Sequence, residues 1–202
     1  MNRNEGFKLL MNYGIEPLPA ETIIFDNTTN GASGEIEIAV AGWYYIKMAG
    51  GGASAQKTTK QSTASGSSAA GFIGEIYLSN GIWFWQVGRK GVANKMENGV
   101  KSFLLKYDNI NKGIICNAGE QTGYYPAEAP QGGILELKNI ETRNVILASN
   151  GNNGYAGGSG TFETRVATSV LQPYTGDYWG AGGTSSNDNA AQGCLLIKFM
   201  GV

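Results

Sequence analysis

What most restricts the folds open to this chain is the placement of its glycines. Of 202 residues, 31 are glycine, and many stand in runs at the ends of short alternating apolar stretches. Ile36, Ile38 and Val40 alternate with Glu35, Glu37 and Ala39, the period of a half-buried strand. Trp43–Met48 comes next, and Gly50, Gly51 and Gly52 open an excursion of small and polar residues up to Gly71. The chain returns in Phe72–Leu78, turns at Ser79-Asn80-Gly81 and runs through Ile82–Val87 to Gly88. Alternation punctuated by Asn-Gly predicts antiparallel hairpins rather than helices. The spacing lacks the Gly-X-Y period of collagen.

The pattern continues to the C-terminus. Gly88-Arg89-Lys90-Gly91 reads as a tight turn using glycine's access to positive φ. Lys101–Tyr107 alternates as a strand, Asp108–Lys112 as a turn, and Ile114–Cys116 as a short buried strand. Glu120–Gly132 reads as a loop, and Ile134–Leu137 with Asn144–Ala148 as a strand pair. Asn150–Gly160 and Tyr174–Asn189 are a second and a third glycine-rich excursion, with Phe162–Val170 extended between them. Cys194–Met200 closes the chain as a strand expected beside early ones. Such excursions, recurring between strand pairs, are expected to gather at one end or edge. Two states suit them: an extended polyproline-II-like layer stacked backbone on backbone, or flexible loops.

The expected fold is all-β, an antiparallel, jelly-roll-like sandwich of about eight to ten strands over residues 31–202. Residues 1–30 read as an anchor or connector. Phe7, Leu10 and Met11 share a face of a helical stretch over Asn4–Gly14, too short to be stable alone. Pro17 and Pro19 make a stiff connector, and Ile23–Phe25 reads as a short strand or lead-in.

Charged residues make up 15% of the chain, below the roughly one quarter usual in soluble domains. The surface is therefore rich in neutral hydrogen-bonding groups, which suits a virion or extracellular protein. A net charge of −1 with scattered Lys and Arg argues against phosphate-dominated nucleic-acid binding. No run reaches the ~18 apolar residues of a membrane span. The first residues lack the apolar core of a secretory signal, so export by the general secretory route is not expected.

The absence of histidine removes Ser-His-Asp and Cys-His catalysis and most zinc chemistry. The carboxylates Glu35, Glu37, Asp108, Glu120, Glu128, Glu136, Glu141, Glu163, Asp177 and Asp188 show no pair marked out for glycoside hydrolysis. Gly50–Gly52 lacks the Lys-Ser/Thr and the helix of a phosphate loop. Asn187-Asp188-Asn189 and Asp108-Asn109 suit turns better than calcium. No enzyme activity, cofactor or metal is therefore expected. Cys116 and Cys194 read as small core residues, with a disulfide open if their strands adjoin. Carbohydrate contact is the sharper idea, because sugars are held by aromatic faces with neutral amides and hydroxyls. The candidates are Trp179, Tyr178, Asp177 and Tyr174 in one loop, and Tyr155, Asn152 and Asn153 in another. The competing reading packs Trp179 beneath its own loop. Trp83 and Trp85 share one face of their strand, with Ile82 and Phe84 opposite. That strand is central and buried, or one face meets another subunit.

These residues carry a resemblance. Ala49-Gly-Gly-Gly52, Gly71-Phe-Ile-Gly74, Asn80-Gly81 into Val87-Gly88-Arg-Lys-Gly91, Gly180-Ala-Gly-Gly183 and Gly193-Cys-Leu-Leu-Ile-Lys-Phe199 occur in that order. Over roughly residues 31 to 202 the chain resembles the glycine-rich β domain at the ends of bacteriophage tail-fibre and tail-tip proteins, also found in some bacterial surface proteins. It departs in the first excursion, where the unbroken glycine run ends at Gly52, and in Lys101–Gly132, which has no clear counterpart. The resemblance implies a non-enzymatic virion subunit of fibre or spike type. Such a subunit assembles in the host cytoplasm, contacts other virion proteins and presents its loops to a host-surface glycan or protein; analogy with phage fibres implies a homotrimer. Two alternatives stand: a structural decoration or collar protein, and a bacterial surface carbohydrate-binding module.

Overall fold

The computed structural model describes residues 19–55, 65–92, 97–121, 129–155, 167–183 and 190–202. The Asn4–Gly14 stretch and Asn187–Asn189 lie outside them. Among the described residues ten strands form two antiparallel five-stranded sheets. The first sheet holds β1 (Thr22–Asn27), β10 (Cys194–Gly201), β3 (Gly42–Ala49), β4 (Gly71–Leu78) and β9 (Thr142–Ser149), in that order. The second holds β2 (Ser33–Ile38), β5 (Gly81–Gln86), β6 (Ser102–Lys106), β7 (Asn109–Cys116) and β8 (Leu135–Lys138). The expected all-β sandwich is what forms, and the closing strand lies between β1 and β3. β1, expected as part of the connector, belongs to the first sheet through its pairing with β10.

Alternation decides which face is buried. Tyr44, Ile46 and Met48 of β3 face the core with Phe72, Ile76 and Leu78 of β4. Trp83, Leu104, Ile114 and Cys116 meet them from the second sheet. Trp83 is fully buried, and its indole N–H donates to the Ser79 carbonyl. Tyr44 donates its hydroxyl to the Val40 carbonyl, and burial pushes its pKa up to about 12.

Two expected hairpins do not form. The turn at Ser79-Asn80 carries the chain from β4 in one sheet to β5 in the other. Likewise β8 and β9 sit in different sheets, on edges of the sandwich. Alternation sets a strand's faces but not its partner, and short connections here serve as crossovers between sheets.

The long connections do the opposite. β3, β5, β7 and β9 end, and β4, β6, β8 and β10 begin, at one end of the sandwich, as Ala49 opposite Gly71 and Cys194, and Cys116 opposite Ser102 and Leu135, show. From this end the chain continues in ten segments outside helix and strand: 50–55, 65–70, 87–92, 97–101, 117–121, 129–134, 150–155, 167–170, 180–183 and 190–193. Their amides bond in a three-residue rotation. Gly50 donates to Ala70, Gly51 to Val100, Gly52 to Ala191; Ala53 then returns to Ser67 and Ser54 to Glu97. Segment 65–70 repeats this, with Ser65 and Ser68 donating to Tyr155 and Asn152, Gly66 and Ala69 to Gly183 and Gly180, and Ser67 and Ala70 to Glu120 and Asn117. A strand bonds in two directions; three residues per turn is the polyproline-II helix, whose backbone makes no internal hydrogen bonds and so bonds laterally on all sides. Segments 50–55 and 65–70 lie innermost, and every residue in them is buried.

This packing explains the composition. A Cβ at Gly51, Gly66, Gly99, Gly119 or Gly151 would lie under 3.0 Å from a neighbouring backbone carbonyl. Gly88 and Gly91 belong here too. They form no tight turn and have no positive φ; glycine is needed there because other backbone comes too close for a side chain. The serines complete the bonding. Ser54, Ser65, Ser67 and Ser68 accept the amides of Glu97, Tyr155, Glu120 and Asn152 through their hydroxyl oxygens at 2.7–3.0 Å. The layer therefore recruits the described ends of the expected loop at Glu120–Gly132, residues 120–121 and 129–132, and the described stems of the other long connections, not three excursions alone.

Candidate functional site

The layer and one face of the first sheet bring the expected site residues together in two groups. The first lies on segment 167–183, which folds over the outer face of β3, β4 and β10. Val170 and Leu171 pack there against Ala49, Ile73 and Cys194, with Tyr45 and Trp179 at the margin. A single helical turn, α1 (Gln172–Thr175), comes next, with Pro173 in its first turn and Gly176 at its C-cap at φ 73°. Ser169 donates its hydroxyl to the Trp179 carbonyl and closes the flap.

This geometry separates the aromatic candidates. Trp179 packs on the cluster beneath its own flap. Asp177 receives a 2.9 Å hydrogen bond from Lys47. Burial alone would raise the Asp177 pKa, but hydrogen bonds from Lys47 and Thr175 and the Lys47 charge hold it below the usual carboxylate value. Tyr174 and Tyr178 stand out at 54% and 64% exposure, with rings open to a ligand.

The second group belongs to the layer. Asn152 donates to the Thr168 carbonyl at 2.8 Å, and Asn153 accepts the Gly132 amide at 3.0 Å. Both side chains thus tie one extended segment to the next. Tyr155 lies at the outer end of that segment, its amide on Ser65 Oγ. The Asn152–Thr168 bond joins the two groups.

A set of residues that the sequence reading passed over lies farther along the outer face of the first sheet. The Arg143 guanidinium sits 4.3 Å from the Trp43 ring centroid, and Trp43 meets Tyr77 edge-on at 5.7 Å. Glu75 accepts from Arg143 Nε at 2.7 Å and from Asn144 at 2.8 Å. Burial opposes ionisation of Glu75, but these two bonds and the Arg143 charge bring its pKa below the ordinary value. Trp43 and Tyr45 alternate with the core residues Tyr44 and Ile46, and that alternation was the available signal. On the second sheet, β5 is indeed internal. Its outward face keeps Ile82 at 42% exposure, and Phe84 meets Tyr107 in a tilted pair with centroids 4.8 Å apart.

Cys116 and Cys194 are both free and buried. One lies in the main core and the other beneath the flap. Burial pushes the Cys194 thiol up to about 12 and the Cys116 thiol well above its usual value. Among the described residues no group of acidic, Cys or His side chains is placed to hold a metal ion. No described helix is long and apolar enough to cross a membrane. Asn109, in the turn weighed against calcium, accepts the Asn111 amide at 3.1 Å.

Compared with known proteins, the chain matches no family model and no curated protein, so a functional reading starts from this geometry.

Proposed function

We propose that this chain is a non-enzymatic attachment subunit of a bacteriophage virion, fibre- or spike-like, which holds a recognition end rigidly against a host-surface glycan or protein. One observation carries the reading. The long connections leave the sandwich at a single end, and backbone hydrogen bonds fix their stems in one layer. Such a base holds its stems by bonds they make to one another, whatever residues connect them. This is how a binding surface varies while its scaffold stays the same. The neutral, hydroxyl- and amide-rich composition and the resemblance of the residue pattern to phage tail-tip domains support the same reading.

The test uses fluorescently labelled protein on a panel of bacterial cells and purified surface glycans. Replacing residues 56–64 or 122–128 with Gly-Ser sequence of equal length removes cell binding and leaves Tm unchanged. Tyr174→Ala with Tyr178→Ala reports whether the flap contributes. Binding that survives all these exchanges contradicts the proposal.

A second reading has its own observation. The outward apolar face around Ile82, Phe84 and Tyr107 suits packing against another virion subunit or another copy of the chain, as in a homotrimer. A decoration or collar protein would use that face and bind no cell.

A further inference from the structure

Segment 50–55 is bonded on every side. Its amides reach 65–70, 97–101 and 190–193, and its carbonyls accept from 87–92, 117–121 and 180–183. Segment 117–121 differs. It bonds to 50–55, 65–70, 97–101 and 129–134, and on its remaining side runs a groove of ≈ 410 Å³. Segments 98–101 and 132–134 form the groove's walls and 117–120 its floor.

The groove carries the same bonding groups that the interior of the layer uses. The amides of Asn98, Lys101, Ala118 and Ile134 make no hydrogen bond among the described residues, nor do the carbonyls of Gly99 and Gly132. Asn98 and Lys101 are three residues apart, one polyproline-II turn or about 9 Å, the spacing at which an added strand of that type repeats its carbonyls. The floor is Ala118 and Gly119, so incoming backbone can come close. At one position the molecule already supplies a bonding partner from a side chain: Asn98 Oδ1 accepts the Gln121 amide at 2.6 Å. Among the described residues no aromatic ring lines the groove, which disfavours a sugar ring. Lys101 and Glu120 give its rim both charges, so a neutral strand is favoured.

We propose that this groove is an open position of the polyproline-II layer and binds an extended glycine-, serine- or proline-rich peptide strand of another protein. The site lies on the side of the layer, so it is separate from recognition at the outer end. Docking there would join this chain to a partner by adding one more segment to the layer, as β-augmentation adds a strand to a sheet.

The test is NMR titration of the whole protein with the peptide (Gly-Pro-Ser)3, with maltoheptaose as a parallel probe. The peptide shifts the amide signals of Asn98, Lys101, Ala118 and Ile134, and the sugar does not. Ala118→Pro keeps the extended conformation but removes the amide at the centre of the floor, and weakens peptide binding by about tenfold. Absence of shifts at millimolar peptide, shifts confined to other residues, or sugar-induced shifts at these same amides overturn the proposal. Titration of the unaltered protein decides this even where the proline variant fails to fold.

Discussion

Replacing Gly119 with alanine adds one methyl group at a point where the layer has no room. Its Cβ would lie under 3.0 Å from the Ser67 carbonyl oxygen and 3.1 Å from the Ala53 amide nitrogen. Both are backbone atoms of the innermost segments and cannot rotate aside. Gly119 has no positive φ, so alanine's own conformational effect is favourable, about 0.4–1 kcal/mol through the unfolded chain. Overpacking opposes it with about 1–3 kcal/mol. Relief requires segment 117–121 to move outward by about an ångström. That move strains the bonds from Gly119 to Gly51 and from Gly99 to Gly119, at 3.0 and 3.1 Å. Each buried group left unpaired costs about 1–3 kcal/mol. The net loss is roughly 2–9 kcal/mol, and a loss of 3 kcal/mol lowers Tm by about 6–12 °C in a chain of this size. Urea and thermal unfolding of the variant measure it, with Gly176→Ala as the reference. Gly176 has φ 73° and open space for 4 Å around the position a Cβ would take, so alanine there meets only a backbone penalty of about 1–2 kcal/mol. Gly119→Ala should lose more than Gly176→Ala. A Gly119→Ala protein as stable as the native chain would refute close packing of the segments.

Three further outcomes rest on the same structure. Ser67→Ala deprives the Glu120 amide of its 2.7 Å hydroxyl acceptor and leaves it the 3.3 Å bond to the Gln131 carbonyl, so stability falls by about 0.5–1.5 kcal/mol, read by urea unfolding; an unchanged midpoint counts against serine's part in the layer. Because the folded-state pKa of Asp177 is depressed, its contribution is present above the unfolded-chain value of about 4. That contribution is lost as pH falls through the folded value. Trp179 fluorescence should report loosening of the flap in that acid range, and Asp177→Asn should flatten the change. A thiol reagent at neutral pH should leave both cysteines unmodified in the folded protein and modify both in denaturant, since burial keeps the two thiols protonated; rapid labelling of the folded protein would contradict their placement.

The sandwich was legible because alternation survives in β2 to β4, where Tyr44, Ile46 and Met48 point one way and Trp43, Tyr45 and Lys47 the other. Strand partners were not, because Asn80-Gly81 makes a turn equally well within a sheet or between two. The layer was legible only as one of two states. Gly50–Ala55 and Ser65–Ala70 contain nothing larger than serine, which permits either close packing or flexibility. What decides is a three-residue rotation of bonding partners drawn from segments far apart in the chain, and a local reading cannot register it. Gly88 and Gly91 show the same limit, since a glycine needed for close approach looks identical in sequence to one needed for positive φ. Trp179 and Asp177 looked available because their loop is polar, but its apolar members Val170 and Leu171 draw it onto the sheet.

Amide hydrogen exchange across residues 50–55 and 65–70 tests the ordered layer most directly. If these segments are laterally bonded and buried, their amides exchange as slowly as those of Ile46 and Phe72 in the adjoining strands. Exchange within seconds, while the strands stay protected, would show that the glycine-rich connections are mobile loops and that the sandwich has no rigid end to present.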